Sequence, residues 1–199
     1  MIYKEPKAGD IIELVLPNKL GFAYAKFIDL MIIGARYPGM LRVFNYWARE
    51  SVQDFNEVET SDLLLHPLLI AGYKRAYKDG YWRPVKTCPV YEGELVIPAY
   101  KRAEPNEDHA KAWYYVEQAD IMKKFPASKE RVQHLEFLGA VGSELVSTKV
   151  AINLLVTGGI DPKAYFTLDE YFEKRFVEEA NSKPPYFRLP PNLRGRPAP

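Results

Sequence analysis

Asp10-Ile11-Ile12-Glu13-Leu14-Val15-Leu16, Pro17-Asn18-Lys19 and Gly21-Phe22-Ala23-Tyr24-Ala25-Lys26-Phe27 follow one another near the start of the chain and decide its fold class. The first run is rich in Ile, Leu and Val. At a period of two it sends Ile12, Leu14 and Leu16 to one face and Ile11, Glu13 and Val15 to the other. Pro and Asn favour turn geometry, so residues 17–19 are expected to reverse the chain. In the second run small and large residues alternate. Gly21, Ala23 and Ala25 share a face that lets another layer approach closely, while Phe22, Tyr24 and Lys26 share the opposite face. The stretch predicts a β-hairpin.

Further along, Tyr37-Pro38-Gly39 signals a second turn, and residues 41–46 and 68–73 read as a third and a fourth strand. Residues 48–62 are polar and read as a loop or short exposed element. Lys78-Asp79-Gly80 is a turn ahead of Tyr81-Trp82-Arg83-Pro84-Val85. Pro84, Pro89 and Pro98 give that region strand-edge and loop character, because each lacks an amide donor. Residues 99–128 alternate between charged and aromatic with no clear period. Apolar residues resume after Glu144 and stop at Gly158-Gly159, as a helix or in part as a strand. A helix is expected over residues 168–180, opened by a capping box of Thr167 with Glu170 and buried along Leu168, Phe172 and Phe176. Residues 181–199 hold six prolines, four basic residues and no acid, and read as an extended tail outside the core. The predicted class is α+β: a strongly bent antiparallel sheet or small β-barrel from the N-terminal two-thirds, with C-terminal helices. Residues 1–180 are expected to form one domain and residues 181–199 a proline-rich basic tail.

The chain has 199 residues, 47% hydrophobic and 27% charged, enough for a substantial core. Twenty-seven basic and 26 acidic residues leave a net charge of +1. That balance argues against general nucleic-acid binding, which needs surplus Lys and Arg to replace phosphate counterions. Cys88 is the single cysteine, so no intrachain disulfide forms. The first residues lack the apolar run of a signal peptide, and residues 27–34 are too short to span a bilayer and include Asp29. These readings place the chain in the cytoplasm with no membrane partner.

No constellation for chemistry assembles in the sequence. His66, His109 and His134 are not at metal-ligand spacings. Cys88, between Thr87 and Pro89, has no local base and reads as an inert thiol. There is no G-x-S-x-G elbow, and Gly142-Ser143-Glu144 reads as a turn and helix cap. Gly139, Gly142, Gly158 and Gly159 fit no phosphate loop. Glu92 and Glu94 read as a solvated pair. The expectation is no catalytic residue, no metal and no cofactor. The aromatic content is 14%, with 14 tyrosines. Tyr and Trp bury large areas while keeping a polar handle, so they serve cores and interfaces alike.

Three stretches resemble the immunity protein 26 family of bacterial polymorphic toxin systems. The first is Lys7-Ala8-Gly9-Asp10-Ile11-Ile12-Glu13-Leu14-Val15-Leu16-Pro17 with Gly21-Phe22-Ala23-Tyr24-Ala25-Lys26, similar to that family's "G-D" step into a strand, a turn and a second strand. The second is Gly80-Tyr81-Trp82-Arg83-Pro84-Val85, similar to its G-x-W-x-x-(V/I) step, with Pro98-Ala99-Tyr100 following. The third is residues 132–155, similar to its closing Leu-rich segment. Residues 50–62 and 104–128 match none of this pattern, and the last helix and tail look like additions. The resemblance implies a non-enzymatic cytoplasmic protein that binds a cognate toxin domain and blocks it by occlusion. Its contacts are expected at exposed aromatics near the second motif, Tyr77, Tyr81 and Trp82, with Tyr24 and Arg83. A strongly basic nuclease toxin would call for a strongly acidic inhibitor, so the balanced charge suggests a shape-and-aromatic interface instead. Some members of that family carry a phosphotriesterase name. A small phosphoester hydrolase is therefore the second reading, and it would require His66, His109 and His134 to meet acids in one cleft. An adaptor using the proline-rich tail is the third. Oligomeric state has no signal in the sequence.

Overall fold

The expected hairpin forms over β1 (Asp10–Leu16) and β2 (Gly21–Asp29), with Leu14 opposite Ala23 and Leu16 opposite Gly21. Its turn closes through the Leu20 amide on the Pro17 carbonyl at 3.1 Å. Asn18 and Lys19 both take positive φ, 56° and 58°. This is the hairpin conformation whose twist matches that of the flanking strands. The computed structural model describes residues 6–105 and 111–199.

Nine strands and five helices alternate along the described chain, and the class is α+β. After the hairpin come β3 (Gly39–Ala48), α1 (Asn56–Thr60), β4 (Leu68–Ala71), α2 (Tyr73–Lys78) and β5 (Trp82–Thr87). Then follow β6 (Tyr100–Pro105), β7 (Lys111–Val116), β8 (Lys124–Ala127), α3 (Lys129–Val132), β9 (Val141–Gly142), α4 (Ser143–Thr157) and α5 (Tyr171–Ser182). The main sheet has order β5-β1-β2-β3-β4-β9, and β6-β7-β8 form a second sheet. The main sheet is strongly twisted and open, not a barrel. It is antiparallel except for the β4–β9 pair. Arg83, Pro84 and Lys86 occupy its β5 edge, where proline and charge discourage further strand pairing.

Both faces of the main sheet are covered. Ile12, Leu14, Ala23 and Ala25 pack with Val146, Val150 and Leu154 of α4. The small β2 side chains permit this close approach. On the other face Ile11, Tyr24, Phe44 and Val58 form a separate cluster beneath α1. Toward the far end Ile28, Leu30, Met40 and Leu69 meet Tyr100 and Ala119. Helix α4 is sandwiched between the sheet and α5, so it is apolar nearly all round. Its one buried cation, Lys149, is held by Glu136 and by Glu179 at 2.7 Å. Lys183 in turn holds Glu136 at 2.8 Å, and Arg175 holds Glu179 at 2.8 Å.

Three expectations are corrected. The capping box does not form: Thr167 accepts only the Asp169 amide at 3.4 Å, Leu168 takes φ 58°, and Glu170 becomes the N-cap residue. Helix α5 therefore starts at Tyr171 and buries Phe176 and Ala180, leaving Phe172 exposed. Residues 100–105, 111–116 and 124–127, which show no readable period in the sequence, build the second sheet. Residues 181–199 are no free tail. Tyr186 donates its amide to Leu64 at 3.0 Å, Ala99 donates to Gly195 at 2.9 Å and Ala198 donates to Arg131 at 2.8 Å. Leu189 is buried. A proline-rich segment has little backbone freedom to lose, so a few carbonyl acceptors and one apolar anchor suffice to dock it.

Candidate interaction surface

Of the five residues expected to contact a partner, three are in the core. Tyr77 on α2 and Trp82 on β5 are buried edge to face, with ring centroids 5.9 Å apart. The period of two on β5 sends Trp82 inward opposite Leu14 and leaves Arg83 outside. Tyr24 is fully buried, donates its hydroxyl to Glu13 at 2.8 Å and accepts the Val52 amide at 3.0 Å. Burial, aided by Glu13, pushes that phenol up to about 12. Arg83 is half-exposed, but its guanidinium is committed to buried Glu13 at 2.5 Å and lies over the Phe22 ring. Only Tyr81 combines large exposure, 54%, with freedom to meet a partner.

The groups considered for chemistry are dispersed. His66 and His134 do line one small cavity of about 200 Å³, with Lys183, Asn153 and Thr157, and no acidic residue lines it among the described residues. His66 Nε2 lies 3.0 Å from the Ala99 carbonyl and Nδ1 lies 3.2 Å from the Pro67 carbonyl. His134 Nε2 lies 2.7 Å from the Arg196 carbonyl. His109 lies outside the described residues. Among the described residues no three His, Cys, Asp or Glu side chains gather as metal ligands. The Cys88 thiol is pushed up by burial and by the Glu59 carboxylate 3.6 Å away, the opposite of nucleophile activation. Glu94 is held by Lys26 at 2.6 Å and by the Tyr91 amide at 2.9 Å, so it does not act as a pair with Glu92. No helix among the described residues is long and apolar enough to cross a membrane.

A larger concavity lies elsewhere, in a groove of about 1120 Å³ at the far end of the main sheet. One wall is the β2–β3 loop, residues 33–36. The opposite walls come from the turn after β7, where Glu117, Gln118 and Asp120 line it, and from Arg194, Gly195 and Arg196 of the docked C-terminal segment. Val96, Ile97 and Pro98 supply apolar lining and Arg42 reaches in from β3. Beside it Met31, Ile32 and Ile33 form a 3-10 turn exposed by 61%, 60% and 46%. The wall after β7 is held in an uncommon conformation: Gln118 and Ala119 have φ 53° and 54°. Left-handed backbone at a non-glycine residue costs roughly 1–3 kcal/mol and persists only where surroundings enforce it. Here the buried Ala119 methyl anchors the turn in the cluster around Tyr100. In the sequence this site had one signal, Met31-Ile32-Ile33 ahead of a Gly-containing turn, and it read there as part of an apolar run.

Compared with protein-family models, with curated proteins and with solved structures, the chain has no match.

Proposed function

We propose that this protein acts by binding another protein, as an immunity-type inhibitor that occludes a bacterial toxin domain in the cytoplasm of the cell that carries both. The observation that carries the reading is the solvent-facing Met31-Ile32-Ile33 turn. Three consecutive large apolar side chains gain about 1.5–3 kcal/mol each when fully buried, and roughly half of that for side chains already half-covered. A contiguous apolar projection beside a groove is a protein-docking feature.

The resemblance to the immunity protein 26 family supports the reading in a second way. The first two of its three motif stretches lie side by side, with Leu14 opposite Trp82 and Glu13 opposite Arg83. Asp10 on β1 faces Thr87 on β5, whose hydroxyl donates to the Asp10 carboxylate at 2.6 Å. Gly9, at φ 88°, sits where a Cβ would lie 2.0 Å from the Cys88 carbonyl oxygen, so the "G-D" step has a steric reason. The motifs therefore build the scaffold, and contact with the partner is assigned to loops at its far end.

The test is co-expression with the C-terminal domain of a secreted protein encoded in the adjacent reading frame. Rescue of growth together with co-purification as a stoichiometric complex is expected, and Ile32→Asp should abolish both. Rescue without physical association would count against the reading. Turnover of phosphoesters by the purified chain would favour a hydrolase.

A further inference from the structure

We infer that the groove recognises an acidic segment of a partner protein that presents an apolar side chain among its carboxylates. The inference rests on the reading that this chain acts by binding a protein. Four guanidinium groups, Arg36, Arg42, Arg194 and Arg196, line the groove against two carboxylates, Glu117 and Asp120. Asp120 already accepts the Met122 amide at 3.0 Å. Arg42 is only loosely held: Glu94 is 3.7 Å from it and is taken by Lys26 at 2.6 Å. Arg194 binds the Phe187 and Leu189 carbonyls and lies 3.8 Å from Asp62. The exposed Arg36 and Arg196 side chains have no ion-pair partner among the described residues.

The groove thus carries a local surplus of positive charge on a chain whose net charge is only +1. Charges farther than about 8–10 Å are largely screened in physiological salt, so the local surplus decides what approaches. Guanidinium groups match carboxylates through two parallel hydrogen bonds. Ile33, Val96 and Ile97 add a lining that an apolar side chain can cover. A nucleic-acid strand fits less well. Its bases need aromatic platforms, and among the described residues Tyr186 is the one aromatic lining the groove.

The test uses the full chain and fluorescein-labelled nonapeptides, read by fluorescence polarisation at 50 and 300 mM salt. One peptide alternates Asp with Leu, one alternates Lys with Leu, and one alternates Asp with Ser. Oligothymidylate is the fourth probe. The Asp/Leu peptide should bind best, weaken with salt, and lose at least tenfold in affinity to Arg36→Glu/Arg196→Glu. Both arginines are exposed, so the variant should keep its unfolding midpoint, and Arg36→Lys/Arg196→Lys should retain partial binding. Equal binding of the Asp and Lys peptides, or stronger binding of oligothymidylate, overturns the inference. So does undiminished toxin rescue by the charge-reversed variant, which leaves the inhibitory reading standing. Arginine-dependent peptide binding with no toxin neutralised upholds the groove chemistry and sinks the inhibitory reading.

Discussion

Acidification should destabilise this protein through His66. The ring is buried between the Tyr100 and Tyr186 rings, with centroid distances of 4.9 and 5.7 Å. Its two nitrogens face two carbonyl oxygens, Pro67 and Ala99. A neutral imidazole carries one N–H and can donate to only one of them, so these acceptors and nearby Glu136 favour the cation. Burial opposes them, helped by Lys183, and prevails: the ring's pKa falls from 6.5 to about 4. Above pH 6.5 both folded and unfolded chains hold His66 neutral and no stability changes hands. Between pH 6.5 and 4 the unfolded chain binds a proton that the folded chain refuses. Stability then falls by about 1.4 kcal/mol per pH unit, to a total of about 3 kcal/mol near pH 4. Urea unfolding of the wild type and of His66→Gln at intervals from pH 7 to 4 measures this, since the glutamine amide can still donate to Ala99 but does not titrate. The wild type should lose about 3 kcal/mol more than the variant across that range. Parallel stability curves, or a His66 imidazole resonance titrating near 6.5, would refute the reasoning.

Lys149→Met should cost about 3 kcal/mol in urea unfolding, the low end for breaking a buried ion pair, because Glu136 keeps Lys183 and Glu179 keeps Arg175. Burial works to raise the Glu136 carboxyl, but Lys149 and Lys183 hold it well below its ordinary 4.5. Its contribution is therefore present above that pH and drains away as pH falls through the lower folded value, so Lys149→Met should move acid unfolding to higher pH; an unchanged acid midpoint contradicts this. Leu189→Ala should cost about 2–3 kcal/mol if the C-terminal segment is docked as described, and nothing measurable by calorimetry if it is loose. Gly9→Ala combines positive φ with a backbone clash and should cost well over 1 kcal/mol; a thermal midpoint within a degree of wild type would contradict the geometry. Ile32→Asp should leave stability within about 0.5 kcal/mol, because the side chain is mostly in water; a large loss would mean that it packs.

The hairpin was legible because each of its signals is local. Alternation at a period of two, Asn at the turn and small residues on one face all act within a few residues of chain. For the same reason the strand β1 appears with the limits expected, and α4 stops at Gly158. The three-stranded second sheet was not legible. Trp113 and Tyr115 pack against Val132 of α3, but Tyr114 between them is aromatic too and Phe125, stacked on Tyr115, is 41% exposed, so no polar-apolar alternation marks the faces. The limits of α5 were missed because Leu168 adopts a left-handed conformation that no local propensity favours.

By itself the sequence determined the class of fold and the opening hairpin. Tertiary structure alone decided which aromatics lie inside, since Trp82 and Arg83 are neighbours in sequence and the pleat sends them to opposite sides. It also decided that the proline-rich segment is a wall of the body, and that arginines at positions 36, 42, 194 and 196 share one groove. The physical reason is reach. Hydrogen-bonding propensity and side-chain alternation act over a few residues, whereas a groove is made by loops that meet only after the sheet has twisted and the chain's end has returned across it.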